Sequence, residues 1–374
     1  MRLFDTYQDR IIDFAPPQIV RLYTCGITPY DAAHLGHVAT YLYYDVLQRR
    51  LRDLGHETRC VRNITDIDDD MFAKSRQLGV DYRDLARQQV AYFDDVLQSM
   101  SFLPSYSEPY ASSAIAEILD MIATLENRGH CYVVDGAVYF AIATDPTFGA
   151  LSHLGRSEML ALATERGGYV DDPNKRDPLD FVLWQRALID EPSWSSPWGP
   201  GRPGWHIECS ALALREHASD TIDLHGGGSD LVFPHHECER AQSESTSGEV
   251  FVRHWMHVAM VRLDGVKMSK SLGNLVFVSD LLNQYEAAAI RIAILDNHYR
   301  TSWDWKHDMV NVATSRLAMW RKNGAGTGAL EAVRNALDDD LDTPTALVAI
   351  DAAAARGEGI SDAAALLGVS LDND

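Results

Sequence analysis

CGITPYDAAHLGH, residues 25–37, stands between two segments of unlike periodicity. Before it, QIVRLYTC (18–25) alternates apolar and polar residues as a strand does. After it, HVATYLYYDVLQRRLRDLG (37–55) carries apolar residues at helical spacing. Gly55 closes that helix, and HETRCVRNIT (56–65) reads as the next strand. Strand, turn, helix, strand is the opening of a parallel α/β sheet, whose ligands lie beyond the strand ends. Cys25 falls at the end of the first strand, on that ligand side.

Composition bounds what such a chain can be. Its 374 residues, 46% of them apolar, are enough for two or three domains with a sizeable core. The opening MRLFDTYQDRIIDFAPPQ has charges throughout and no apolar core, so no signal peptide is expected. No apolar run approaches the roughly 20 residues of a membrane span. Five cysteines, odd and sparse, argue against a disulfide framework and suit a reducing, cytoplasmic setting. A net charge of −21, from 54 acidic and 33 basic residues, lacks the basic excess that usually tracks a phosphate backbone.

Further along, Tyr82 to Gly129 is mostly helical, and HCYVVDGAVYFAIA (130–143) reads as a hairpin turning at Asp135-Gly136. Residues 145–204 are rich in Gly, Pro, Asp and Trp with little periodicity, and are expected to be surface loops rather than core. α/β character resumes at Trp205 and runs to about Val261. After about Thr301 only helices are expected. The expected division is 1–104 and 205–260 as two halves of one catalytic domain, 105–204 as an insertion, 261–302 as a loop and stem region, and 303–374 as a helical domain.

Four constellations could carry chemistry. Cys25, Cys209 in GWHIECSALALREH and His235 in FPHHECERAQSES would together suit Zn²⁺, with Glu239, one helical turn beyond His235, left open as a fourth ligand. Each cysteine alone is more often a small buried hydrophobe. His34-Leu-Gly36-His37 stands where strand gives way to helix, a position that favours phosphate, and two imidazoles there could donate to a leaving pyrophosphate. Lys267 and Lys270 in KMSKSLGN could clamp a triphosphate, though two lysines alone are more often a solvated loop. The glycines ahead of Ser229 and Asp230 in HGGGSDLVFPHHE allow close approach of a nucleotide, or are simply a flexible turn.

HLGH early and KMSKS late, with an α/β sheet between, together resemble the class I aminoacyl-tRNA synthetases over about residues 15–350. CGITPYD, TDIDDD, PGWHIECSA and GGGSDLVFPHHE are similar to that class's cysteine-activating branch. The resemblance implies a Rossmann-type (HUP) parallel sheet with an inserted connective region and a C-terminal helical domain. Within the branch, Ile27-Thr28-Pro29 and ERGG (165–168) resemble the mycothiol-pathway cysteine ligases rather than cysteinyl-tRNA synthetases. The chain's end at Asp374, short of an anticodon-reading domain, and its acidity point the same way. Tyr169-Val170 departs from the Asp-Pro expected after ERGG, which leaves that loop's role open.

From the resemblance follow the expected roles. ATP, with Mg²⁺, and L-cysteine would give cysteinyl-adenylate, and the amino group of glucosaminyl-inositol would then displace AMP. His34, His37, Lys267 and Lys270 would stabilise the phosphates. Cys25, Gly26, Ile27, Thr28, Gly36 and Thr40 would line the adenylate site, with Asn63, Ile64, Thr65, Trp205, Gly228, Ser229, Asp230 and Val261. One zinc per chain would separate cysteine from the nearly isosteric serine by binding its thiolate. The expected protein is a monomer that engages neither tRNA nor membrane. Competing readings are a tail-less cysteinyl-tRNA synthetase relative, and a non-catalytic regulator that kept the fold.

Overall fold

The computed structural model describes residues 1–30, 34–189, 191–268 and 272–372. The central sheet has four strands in the order Trp255–Val258, Leu224–Gly228, Ile19–Ile27, Glu57–Ile64. All three pairings are parallel. Chain order reverses between Ile19–Ile27 and Leu224–Gly228, and such a switch point opens a crevice beyond the carboxyl ends of the strands. The helix Leu35–Asp53 packs over the sheet by burying Leu35, Val38, Leu42 and Val46, spaced three or four apart. It ends at Leu54, whose N–H returns to Arg50 O, and Gly55 takes the left-handed φ of 93° that follows.

The inserted region builds a second sheet, antiparallel, from Cys131–Val134, Ala137–Phe140, Phe181–Gln185 and Arg202–Pro203. Its first hairpin turns at Asp135-Gly136, both with positive φ as a two-residue turn requires. The sequence reading of 145–204 as surface loops is corrected here. Phe181–Gln185 is an inner strand of this sheet, and Leu183 and Trp184 are fully buried. A strand covered on both faces has no apolar alternation to reveal it.

Helices His307–Arg321, Leu330–Asp338, Thr343–Ala355 and Ser361–Leu366 form the C-terminal part. It is not purely helical, because Trp303–Asp304 pairs in parallel with Val261–Leu263. Two residues are too few for a periodic signal. One apolar cluster runs from Val38 and Leu42 to Val333, Leu347 and Leu367, so these helices share the core of the sheet's first helix.

A buried cation fixes that junction. Arg291 forms an ion pair with Asp45, on the first helix, and donates to Leu367 O at 2.6 Å and Met100 O at 2.9 Å. Gly368 closes over it with φ +70°, where a Cβ would lie 2.2 Å from the guanidinium. Arg291→Met takes the buried cation from Asp45, which keeps only Arg49 at 2.8 Å and the Leu103 N–H, and leaves two carbonyls without their donor; it should cost about 3 kcal/mol in urea denaturation. Gly368→Ala should shift the midpoint in the same direction, and two unshifted midpoints would contradict this reading of the junction.

Candidate active site

At the switch point the last residues of Ile19–Ile27 and Leu224–Gly228 border a cavity of about 520 Å³. Its floor is set by the approach of two backbones. Gly26 N–H donates to Asn63 Oδ1 at 2.8 Å, and a Cβ on Gly26 would fall 1.4 Å from Asn63 O. Asn63 Nδ2 in turn donates to Thr65 Oγ1 at 3.1 Å. Asn63, Ile64 and Thr65 are therefore buried supports beneath the cavity and do not border it.

One wall is the amino end of helix Leu35–Asp53. His34 is its N-cap, with Nδ1 accepting the Gly36 N–H at 3.1 Å. That bond dictates the tautomer, because a neutral ring whose Nδ1 accepts carries its hydrogen on Nε2. His37 stacks on His34 with ring centroids 3.8 Å apart. No acidic residue stands in the first turn of this helix, so its own side chains do not offset the positive end of the dipole. Two imidazoles, a helix amino end and Gly36 together make a phosphate-binding surface.

Lys267 borders the same cavity and pairs with Asp230 at 3.1 Å. Lys270 lies outside the described residues. Cys25, Ile27, Thr28, Thr40 and Gly228 also line the cavity. Ser229 lines a neighbouring cavity of about 380 Å³, Val261 is buried in its short strand, and Trp205 stacks on His235 at 4.0 Å. Arg166, from ERGG, donates to the carbonyls of Asp230 and Phe233 and so holds the turn that carries Asp230.

Beneath the cavity lies a buried cluster of sulfur, nitrogen and oxygen donors. Cys25, Cys209, His235 and Glu239 offer atoms that all fall within 4.8 Å of one another. Helices Trp205–His217 and Glu237–Ser247, with the turn before the second, bring them to the carboxyl end of the strand Ile19–Ile27. His235 Nδ1 is 2.8 Å from His206 Nδ1, which turns Nε2 toward the cluster. There Nε2 comes within 3.0 Å of Glu239 Oε1, an ion-pair contact without the alignment of a hydrogen bond, so this buried ring nitrogen has no hydrogen-bond partner. Two sulfurs, one imidazole and one carboxylate oxygen are a donor set that fits Zn²⁺.

The electrostatics agree with such a centre. Burial pushes the Cys25 thiol up, and its hydrogen bond to Cys209 pulls Cys209 down to about 6. Burial opposes charge on His235, but Glu239 and Cys209 together raise it to about 10. Burial likewise opposes ionisation of Glu239, and His225 and His235 outweigh it, bringing the carboxyl to about 2. Cys209, His235 and Glu239 are thereby disposed to carry charge and Cys25 to remain a thiol, in a buried site.

Several participants escaped the sequence reading. Cys25, His225, His236 and Glu239 form a second set of donors within the same 4.8 Å limit. His236 Nε2 stands 3.2 Å from Cys25 Sγ, and its Nδ1 stands 2.7 Å from His257 Nε2. Burial lowers both His236 and His257, which keeps these rings neutral. His225 and His236 flank motifs read only for their glycines and for His235. The set with two sulfurs suits zinc better, since thiolates are its softer ligands.

This fold and cavity define the catalytic domain of a class I aminoacyl-tRNA synthetase type. The family described as tRNA synthetases class I (C) catalytic domain matches residues 12–315. Methionyl-tRNA synthetase of Mycobacterium tuberculosis in complex with methionyl-adenylate has the same fold, with TM-score 0.65 and 16% identity over 89% of this chain and 82% of that one. An L-cysteine:1D-myo-inositol 2-amino-2-deoxy-alpha-D-glucopyranoside ligase of Frankia casuarinae is 46% identical over 100% of this chain and 81% of its own. Its counterpart in Frankia alni is 49% identical over 92% and 84%. The chain belongs to the family of these mycothiol-pathway ligases, and it is a ligase. No described helix is long and apolar enough to cross a membrane.

Gly26→Ala tests the floor of the cavity. The added methyl meets backbone, which cannot step aside as a side chain would, so the strands must part. A loss of about 1–3 kcal/mol in stability is expected, together with loss of nucleotide-dependent activity. A stable, fully active Gly26→Ala protein would contradict the packing described.

Proposed function

We propose that the chain activates L-cysteine with ATP, forming cysteinyl-adenylate and pyrophosphate, and then joins cysteine to the amino group of glucosaminyl-inositol as an amide. The observation that carries this reading is the meeting, at Cys25, of a phosphate-binding helix end and a buried thiol–imidazole–carboxylate cluster. Kinship with ligases of that name supports the choice of substrates.

In the first half-reaction the helix amino end, Gly36 and the Nε2–H of His34 would hold the phosphates, with His37 stacked behind. Lys267 would exchange its Asp230 partner for phosphate oxygens, and Lys270 would join it. ATP would enter with Mg²⁺, as phosphate charge usually requires. Cys25, Cys209 and His235 would hold a zinc ion, with Glu239 against or on it. Bound there, zinc supplies a Lewis-acidic position that takes a thiolate far better than a hydroxyl, which would serve to refuse serine. Trp205 and His206 would hold the His235 ring in place. Five free cysteines suit work in the reducing cytosol, and we propose a monomer that does not engage tRNA.

The test is metal content measured beside cysteine-dependent exchange of pyrophosphate into ATP. The purified protein should carry about one zinc per chain and catalyse the exchange with cysteine but not serine. Cys209→Ala should lose most of the zinc and lower exchange by about 100-fold or more, a cost of about 3 kcal/mol. Full exchange by a zinc-free Cys209→Ala protein would refute the metal assignment.

A further inference from the structure

We propose that Asp70 binds the acceptor amine, as an ammonium, and takes a proton from it in the second half-reaction; this rests on the function proposed above. Two carboxylates line the cavity, Asp70 and Asp230. Asp230 pairs with Lys267 at 3.1 Å, a partner it would lend to the phosphates in the first half-reaction and regain once pyrophosphate has left. Among the described residues Asp70 has no ion pair, and its Oδ2 accepts a hydrogen bond from Tyr30 Oη at 2.9 Å.

Its neighbours have other work. Asp68 caps the helix Asp69–Leu78 by accepting the Asp70 N–H at 2.9 Å, and Asp69 pairs with Arg202. Asp70 therefore sits in the first turn of a ten-residue helix, where the dipole favours negative charge, with Tyr30 orienting its carboxylate. A negative charge in a cavity meant for a polyphosphate repels that ligand, so its place there calls for a cation.

Two reactants bring one. Cysteine has an α-ammonium, and an amino sugar is largely protonated near neutral pH. Position separates them. Cys25 and the donor cluster are buried, whereas Asp70 is exposed at the edge of the cavity. An amine that arrives after the adenylate has formed meets, at that exposed edge, the carboxylate of Asp70.

An ammonium cannot attack until its lone pair is freed, and a hydrogen-bonded carboxylate accepts the proton. The amine nitrogen then bonds to the cysteinyl carbonyl carbon, the bond from that carbon to the phosphate oxygen breaks, and AMP leaves with the electron pair. Of the two protons the nitrogen loses, one passes through Asp70 and the other to water. No oxidant or reductant is needed.

Asp70→Asn in the full chain, assayed twice on one preparation, tests this. Cysteine-dependent pyrophosphate exchange reads the first half-reaction, and amide formation over a range of glucosaminyl-inositol concentrations reads the second. The KM for glucosaminyl-inositol should rise about 10-fold or more, as loss of a charge-assisted hydrogen bond implies, and by much more than exchange falls. Asp70→Glu, which keeps the charge, should recover part of the loss. An unchanged KM overturns the assignment. So does a parallel fall in both assays, which would give Asp70 to the cysteine ammonium or to the fold. Absence of exchange in the unsubstituted protein would overturn the proposed function itself, and this assignment with it.

Discussion

Toward the carboxyl ends of the central strands, neighbouring backbones meet in two pairs so closely that only hydrogen fits between them. Gly26 has Asn63 O where a Cβ would be, and Gly226, in the next strand, has Met256 O and Tyr44 Oη in the same relation, at 1.9 and 2.1 Å. That closeness sets the cavity's dimensions. It presents Cys25 to the metal-type cluster on one side while the residues that follow it turn toward the helix amino end. Tyr41 Oη, donating to Cys25 O at 2.8 Å, ties the helix to the strand at this point. A phosphate site and a thiol site can serve one small molecule only if they are held this near each other.

Much of this arrangement was legible in the sequence, for physical reasons. The strand–turn–helix–strand opening carries strong periodicity because its helix packs against the sheet that its two strands help to form. Cys25, Cys209 and His235 could be named together because cysteine is rare in the chain, their chemistry is shared and the family resemblance joins them, while Glu239 was left open. The inserted Phe181–Gln185 strand was hidden by burial on both faces, and Trp303–Asp304 by its length. The supporting roles of Asn63 and Thr65 were hidden as well. A side chain bonded to a neighbouring backbone looks the same in sequence as one that faces a ligand.

The histidines give the clearest case of what sequence omits. His206, His225, His236 and His257 surround the donor cluster, and burial lowers His206, His236 and His257. Thr6 Oγ1, in the N-terminal segment, reaches His257 Nδ1 at 2.7 Å and ends a chain of contacts that begins at Cys25. Such outer contacts fix ring orientation and basicity, and their residues come from four separate segments. No local motif could have joined them.

The central claim is that one cavity serves both activation of cysteine and its transfer to an amino sugar. The direct measurement is to incubate the purified protein with ATP and cysteine, adding glucosaminyl-inositol to one vessel and tRNA to another, and to identify products by mass spectrometry. The account expects a cysteinyl amide of glucosaminyl-inositol, with one AMP released per amide, and no charged tRNA. Charged tRNA without the amide, or consumption of ATP with neither product, would contradict it.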